Sequence, residues 1–141
     1  MFIQNQIYKR SEIHDKYGGN RQRGIYSSSQ TDNIFIFSCK SGKQHGYRDG
    51  WSNKYIYEYS GEGQIGDMQF TEGNLRLRDH IKNNKRVWLF QFEKKGFVRF
   101  VCEVVIFNYG FFETHDRNGD LRVGIKFFYR RDEVQMYISP E

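Results

Sequence analysis

Residues 87–107, VWLFQFEKKGFVRFVCEVVIF, decide the fold. Two apolar runs, Val87 to Phe92 and Phe97 to Phe107, flank Glu93-Lys94-Lys95-Gly96, a charged stretch closed by glycine. Runs rich in β-branched and aromatic residues on either side of such a stretch read as two strands joined by a hairpin turn. The pattern continues in both directions. Leu121 to Tyr129 follows Asp116-Arg117-Asn118-Gly119-Asp120, whose Asn-Gly step is a strong turn signal. Upstream, Lys54 to Tyr59 (KYIYEY) sets Tyr55, Tyr57 and Tyr59 on one face of a strand and Ile56 on the other. Ile34 to Cys39 (IFIFSC) is continuously apolar, which predicts a buried strand.

Helical patterns are sparse. Glu72 to Lys82 carries Leu75, Leu77 and Ile81 at loosely helical spacing, and residues 1–13 carry Ile3, Ile7 and Ile13. Apolar residues make up 38% of the chain and aromatics 18%, so Tyr and Phe must supply burial that Leu and Ala usually provide, a bias toward strands. With one proline and fourteen glycines, the turns are glycine-built. No linker, repeat or low-complexity segment divides the 141 residues. Residues 1–141 therefore predict a single domain of the α+β class, mainly β, a twisted barrel-like sheet with one or two short helices.

The net charge of +5 suits a surface that tracks phosphates, and equally suits a basic protein with no nucleic-acid partner. Cys39 and Cys102 each sit in an apolar run and read as small core residues. There is no CxxC motif, and His14, His45, His80 and His115 are dispersed, so neither a metal site nor a cofactor is expected. The N-terminus lacks an apolar signal core, and no stretch approaches the roughly 20 apolar residues of a membrane span, which predicts a cytoplasmic protein.

The densest chemical constellation is Gly46-Tyr47-Arg48-Asp49-Gly50-Trp51, followed by Tyr55, Tyr57 and Tyr59, then Ser60-Gly61-Glu62-Gly63-Gln64. Two tyrosines twelve residues apart with a turn between them can face each other across a cleft. A carboxylate beside them can accept hydrogen bonds from the edge of a planar ring, and small residues let backbone approach that ring. A nucleobase turned out of its helix offers two π faces and a donor edge, so it fits such a cleft. A tyrosine ladder that merely packs a sheet has the same pattern.

Beyond the pattern, the sequence resembles the YDG signature of SRA (SET- and RING-associated) domains through Tyr47-x-Asp49 and the step to Tyr59 in Tyr57-Glu58-Tyr59-Ser60-Gly61-Glu62-Gly63. Gly24-Ile25, Gly73-Asn74-Leu75 and the strands from Val87 through Arg130 extend the likeness. It is more similar still to the SRA-like module of bacterial modification-dependent HNH restriction endonucleases. That likeness runs through Ile13-His14, Tyr17-Gly18-Gly19, Gly46-Tyr47-x-Asp49-Gly50-Trp51, Gly61-Glu62-Gly63-Gln64, Gly66-Asp67-Met68 and Arg78-Asp79-His80. The matched span covers roughly residues 10 to 130.

The resemblance implies a PUA-like β barrel that binds double-stranded DNA and flips out 5-methylcytosine, 5-hydroxymethylcytosine or a related base. Tyr47 and Tyr59 would sandwich that base, Asp49 would meet the cytosine amino group, and backbone at Gly46 and Ser60 would line the ring edge. Gln22 would fill the gap left in the duplex, with Arg21, Arg23, Arg48 and Lys54 on phosphates. Two departures limit the transfer. Gly50 stands where eukaryotic members carry a second acid, and the stretch from Gly63 to Gly73 is too short for the finger loop that reads hemimethylated CpG. The resemblance implies a binding module and not an enzyme. No HNH signature is present, so any cutting would come from an HNH nuclease domain elsewhere in the same chain or on another protein. The alternative from another class is a PUA-like RNA-binding domain.

Several residues keep two readings. Gly18 to Gly24 is a connecting loop or a nucleic-acid contact, and Trp51 caps the core or borders the pocket. Arg76, Arg78 and Lys82 line a solvated helix face or track phosphates. Glu62 and Asp67 read mainly as turn stabilisers. Glu93-x-Lys95 is faintly similar to the Glu-x-Lys of metal-dependent nucleases, yet a charged hairpin tip explains it more simply.

Overall fold

The computed structural model describes residues 2–19, 24–28, 31–38, 50–51 and 56–132, with Gly50 and Trp51 placed as backbone. In chain order the elements are β1 (Ile7–Lys9), α1 (Arg10–Tyr17), β2 (Ile25–Ser27), β3 (Asn33–Ser38), β4 (Gly50–Trp51) and β5 (Ile56–Ser60). They continue with α2 (Glu72–Arg78), β6 (Arg86–Lys94), β7 (Phe97–His115) and β8 (Leu121–Arg131). The strands form one sheet in the order β2-β3-β6-β7-β8-β5-β4, with β1 added on β7. The sheet curls into a half-barrel, as the strand-rich sequence predicts. Among the described residues no helix is long and apolar enough to cross a membrane.

Every described pairing is antiparallel except β3 with β6, where Ile34 lies beside Val87 and Phe37 beside Phe90. These two strands are buried on both faces, which is why IFIFSC and VWLFQF read as unbroken apolar runs. Ile34, Ile36, Val87 and Leu89 point into the main core with Tyr57, Tyr59, Leu77, Ile125, Phe127 and Tyr129. Phe35, Phe37, Trp88 and Phe90 point the other way, into a second core closed by Ile13 and Tyr17 of α1. Strand β5 alternates as expected, with Tyr57 and Tyr59 buried while Ile56 and Glu58 are half-exposed.

The predicted hairpins are present. Lys95 and Gly96 turn β6 into β7, and the Asn118-Gly119 step turns β7 into β8. Strand β7 runs eight residues past its expected end, to His115, because β8 pairs with it as far as the turn.

Two helical expectations need correction. Residues 1–13 do not form a helix. Ile7, Tyr8 and Lys9 pair with Phe97 to Arg99, and the helix begins at Arg10. Asn5 has φ 67°, outside the helical region, and its N–H donates to Phe100 O. Of the three isoleucines, Ile3 and Ile7 are 64% and 43% exposed. Phe2 is instead the anchor, its ring packed among Tyr8, Tyr17, Phe35, Trp88, Phe90 and Phe100. The second helix starts at Glu72 but ends at Arg78, four residues short of Lys82.

The chain after Arg78 turns because His80 requires it. Buried His80 donates from Nδ1 to Lys85 O at 2.9 Å and accepts the Ile106 N–H at Nε2 at 3.0 Å. Ile106 borders the irregularity between Ile106 and Asn108 in β7, so the imidazole holds the strand where its ladder shifts register. This arrangement needs the neutral ring, and burial pushes its pKa below the ordinary histidine value. The unfolded chain therefore takes up a proton that the fold resists. Stability is fully present above about pH 6.5, the ordinary histidine value, and declines as pH falls below it. Thermal melts at neutral and mildly acidic pH should show a smaller acid-induced loss in His80→Gln than in wild type. Equal losses would remove His80 as the source.

Candidate nucleic-acid interface

Of the predicted base-contacting residues, Tyr59 and Ser60 are described, and Gly46, Tyr47 and Asp49 lie outside the described residues. So do Arg21, Gln22, Arg23, Arg48 and Lys54. Cys39, Tyr55, His45 and the side chain of Trp51 also lie outside them.

Tyr59 is placed by β5, opposite Phe127 of β8, with its ring directed into the main core at 5% exposure. Its ring is tilted against Tyr129 at 6.3 Å, and its hydroxyl donates to Phe37 O at 3.3 Å. Phe37 N in turn donates to Gly24 O. A Cβ at position 24 would stand 2.7 Å from the Tyr59 hydroxyl, so only glycine permits this approach. Two residues earlier, the Tyr57 ring stacks on Tyr129 at 5.1 Å, and its hydroxyl shares a 2.9 Å hydrogen bond with Ser38 Oγ.

These contacts converge on one corner. Gly24 follows Arg21-Gln22-Arg23 in sequence and touches Tyr59. Ser38, bonded to Tyr57, is the last described residue before the stretch holding Gly46 to Asp49. Gly50, the first described residue after that stretch, pairs with Glu58. Ile56, which follows Lys54 and Tyr55, opens β5 itself. Four anchors flanking the predicted contact segments, Gly24, Ser38, Gly50 and Ile56, thus meet Tyr57-Glu58-Tyr59 or are joined to it.

Beyond Ser60 the chain is lashed down by Glu62, Asp67 and residues to which the sequence alone assigned no role. Asn74, buried at the second helix, accepts the Glu62 N–H at Oδ1 (2.8 Å) and donates from Nδ2 to Glu62 O and Gln69 O (2.9 Å each). Glu62 Oε1 accepts the Ile25 N–H at 3.0 Å. A Cβ on Gly73 would lie 2.6 Å from Glu62 Oε2, so the Gly-Asn step and the Gly-Glu step of the signature are two halves of one knot.

The next turn is fastened to the β7–β8 hairpin. Asp116 accepts N–H groups from Gly66, Asn118 and Asp120, and the Gly66 bond leads in holding its carboxyl below the usual range. Buried Arg122 donates from Nη1 to Gly63 O and Gly66 O at 2.6 and 3.1 Å. Asp67 accepts the Val123 N–H at 2.7 Å. Glu62 and Asp67 therefore do stabilise turns. The quoted Gly73-Asn74 motif could have flagged Asn74, and the Asp116-to-Asp120 turn signal the local bonds of Asp116; nothing local marks its bond to Gly66 or the role of Arg122.

Other candidates resolve simply. Arg78 is paired bidentately with Asp79 and lies over the Phe70 ring, which favours the solvated-face reading. Glu93 is bound by both Nε and Nη2 of Arg99, consistent with a hairpin tip. Burial pushes the Cys102 thiol up to about 11, which keeps it protonated and poorly nucleophilic. Among the described residues no group of three His, Cys, Asp or Glu is placed to hold a metal ion.

A strand-rich, curled half-barrel sheet with two short helices matches the SRA-like fold. The chain belongs to the ScoMcrA-like SRA domain family, whose model matches residues 4–136. Among solved structures, one of the sulfur binding domain and SRA domain of ScoMcrA complexed with phosphorothioated DNA is 21% identical, with TM-score 0.73, covering 93% of this chain and 40% of that one. ScoMcrA itself, described as a Type IV phosphorothioation-dependent restriction endonuclease, is 21% identical with TM-score 0.74 over 93% of this chain and 24% of its own. The SRA domain of SUVH5 in complex with methylated CHH DNA is 25% identical, with TM-score 0.60, covering 88% of this chain and 84% of that one. This chain thus spans well under half the length of either ScoMcrA structure. A search of curated proteins gave no match.

Proposed function

We propose that this chain binds double-stranded DNA at a modified cytosine, which it flips out between Tyr47 and Tyr59. In this reading Asp49 accepts from the cytosine amino group, and backbone at Gly46 and Ser60 faces the ring edge. Gln22 fills the vacated stack, and Arg21, Arg23, Arg48 and Lys54 meet phosphates. The observation that carries the reading is the convergence on Tyr57-Glu58-Tyr59 of the anchors flanking those segments. Membership of an SRA family, with a structural neighbour bound to methylated DNA, favours DNA over the RNA alternative. The domain serves as the specificity module of a modification-dependent restriction system, with cutting supplied by an HNH-type domain in the same or another chain.

Flipping costs a few kcal/mol in stacking and pairing. Two aromatic faces return about 1–3 kcal/mol each. The balance is close, so the added methyl, worth about 0.8 kcal/mol of burial, tips binding without gating it. That corresponds to a preference of roughly four-fold for 5-methylcytosine over cytosine. Fluorescence polarisation with matched duplexes carrying cytosine, 5-methylcytosine or 5-hydroxymethylcytosine, a phosphorothioate duplex and a structured RNA tests this. The modified-cytosine duplexes should bind tightest. Equal binding of the unmodified duplex, or tighter binding of RNA, would refute the proposal.

A further inference from the structure

Among the described residues, no strand covers the outer edge of the far half of β7. Val123 and Ile125 of β8 turn their backbone groups away from β7: Val123 O and Ile125 O accept from Met68 and Gly61, while their N–H groups donate to Asp67 Oδ1 and Met68 Sδ. In an antiparallel ladder the residues opposite them, Glu113 and Phe111, must then direct their own N–H and C=O groups away from β8. The same holds for Tyr109, two residues before Phe111, whose N–H is met, among the described residues, by the side chain of its neighbour Asn108. No other strand pairs with this part of β7 among the described residues.

Such an edge is usually blunted by lysine, proline or a bulge. Residues 107–115 (FNYGFFETH) contain neither lysine nor proline, and the bulge lies before Asn108. The edge is also apolar. Tyr109 and Phe111 are 41% and 62% exposed and pack edge-on against Phe70, extending the core face to the rim of the sheet.

We propose that this edge pairs with the same edge of a second copy of the chain, giving an isologous dimer with one sheet continued across the twofold axis. Centring the antiparallel pairing on Phe111 puts outward-facing backbone opposite outward-facing backbone, with Phe111 beside its symmetry mate. The same register sets Glu113 of each copy opposite Tyr109 of the other. There its carboxylate meets Arg78, whose guanidinium lies over Phe70 beside Tyr109 and spends only Nε and Nη2 on Asp79. The occupant is thus a second copy because the edge complements itself in hydrogen bonding, in aromatic surface and in charge.

Sedimentation of the whole chain without DNA tests this independently of base recognition. Wild type should move toward twice the 17.0 kDa monomer as concentration rises, and Phe111→Lys should remain monomeric with an unchanged circular dichroism spectrum. Phe111→Cys, in a Cys39→Ser background, should form a disulfide-linked dimer under mild oxidation. Opposed residues of a hydrogen-bonded pair stand about 5.5 Å apart at Cα, within disulfide reach. Wild type that stays monomeric up to its solubility limit overturns the proposal, as does a dimer untouched by Phe111→Lys. Monomeric wild type whose DNA binding falls with Phe111→Lys would give the strip to DNA instead, which also overturns it.

Discussion

Tyr47→Ala should bind a 5-methylcytosine duplex about 5- to 140-fold more weakly than wild type, the loss of one stacking face at about 1–3 kcal/mol. Lys54→Ala should cost far less and act differently. Removing a phosphate contact lowers the slope of log affinity against log salt by about one, whereas removing a stacking ring leaves that slope unchanged. Salt titrations of both variants therefore separate a sandwich from a merely basic surface. If Tyr47→Ala loses no more than Lys54→Ala, or changes the salt slope, the pocket is misassigned.

The partner ring needs a gentler change. Tyr59 is part of the main core, so Tyr59→Ala would remove packing worth about 3–5 kcal/mol and confuse unfolding with lost recognition. Tyr59→Phe keeps the ring, gives up the bond to Phe37 O, and should retain most of the binding.

Asn74→Ala should destabilise the domain by about 3 kcal/mol in urea titrations, roughly 1 kcal/mol for each of three hydrogen bonds. Its side chain ties Glu62 N–H, Glu62 O and Gln69 O together. Asn74→Asp is the sharper control. It keeps the acceptor for Glu62 N–H but sets a carboxylate oxygen against two carbonyls, so it should lose at least as much as alanine at neutral pH. A loss below about 1 kcal/mol in both would mean that the knot is not what holds the turn after Ser60.

How much of this could be read from residues alone depended on the range of the forces involved. Strands and hairpins were legible because side-chain alternation and turn chemistry are local: VWLFQF, FVRFVCEVVIF and the Asn118-Gly119 step each carry their own signal. The N-terminus departs from its pattern because three residues of β1 are too few to show a period, and the spacing of Ile3, Ile7 and Ile13 mimics a helix that Asn5 and the pairing with β7 forbid. The early end of α2 depends on His80 meeting Ile106, a contact 26 residues away. In the candidate site, the shared face of Tyr57 and Tyr59 followed from strand geometry. The bonds of Asn74 to Glu62, of Asp116 to Gly66 and of Arg122 to Gly63 did not, since they reach backbone groups 12, 50 and 59 positions away.

The parallel pairing among the described strands bears on how the protein comes together. Asn33 and Arg86 adjoin although 53 positions separate them in the chain, so closing β3 onto β6 carries a large loop-entropy cost before any contact repays it. The signature segment from Gly46 to Ser60 lies inside that loop. The frame around Tyr59 draws on Phe37, 22 positions away, and on Gly24, so it too rests on contacts distant in sequence rather than on local structure.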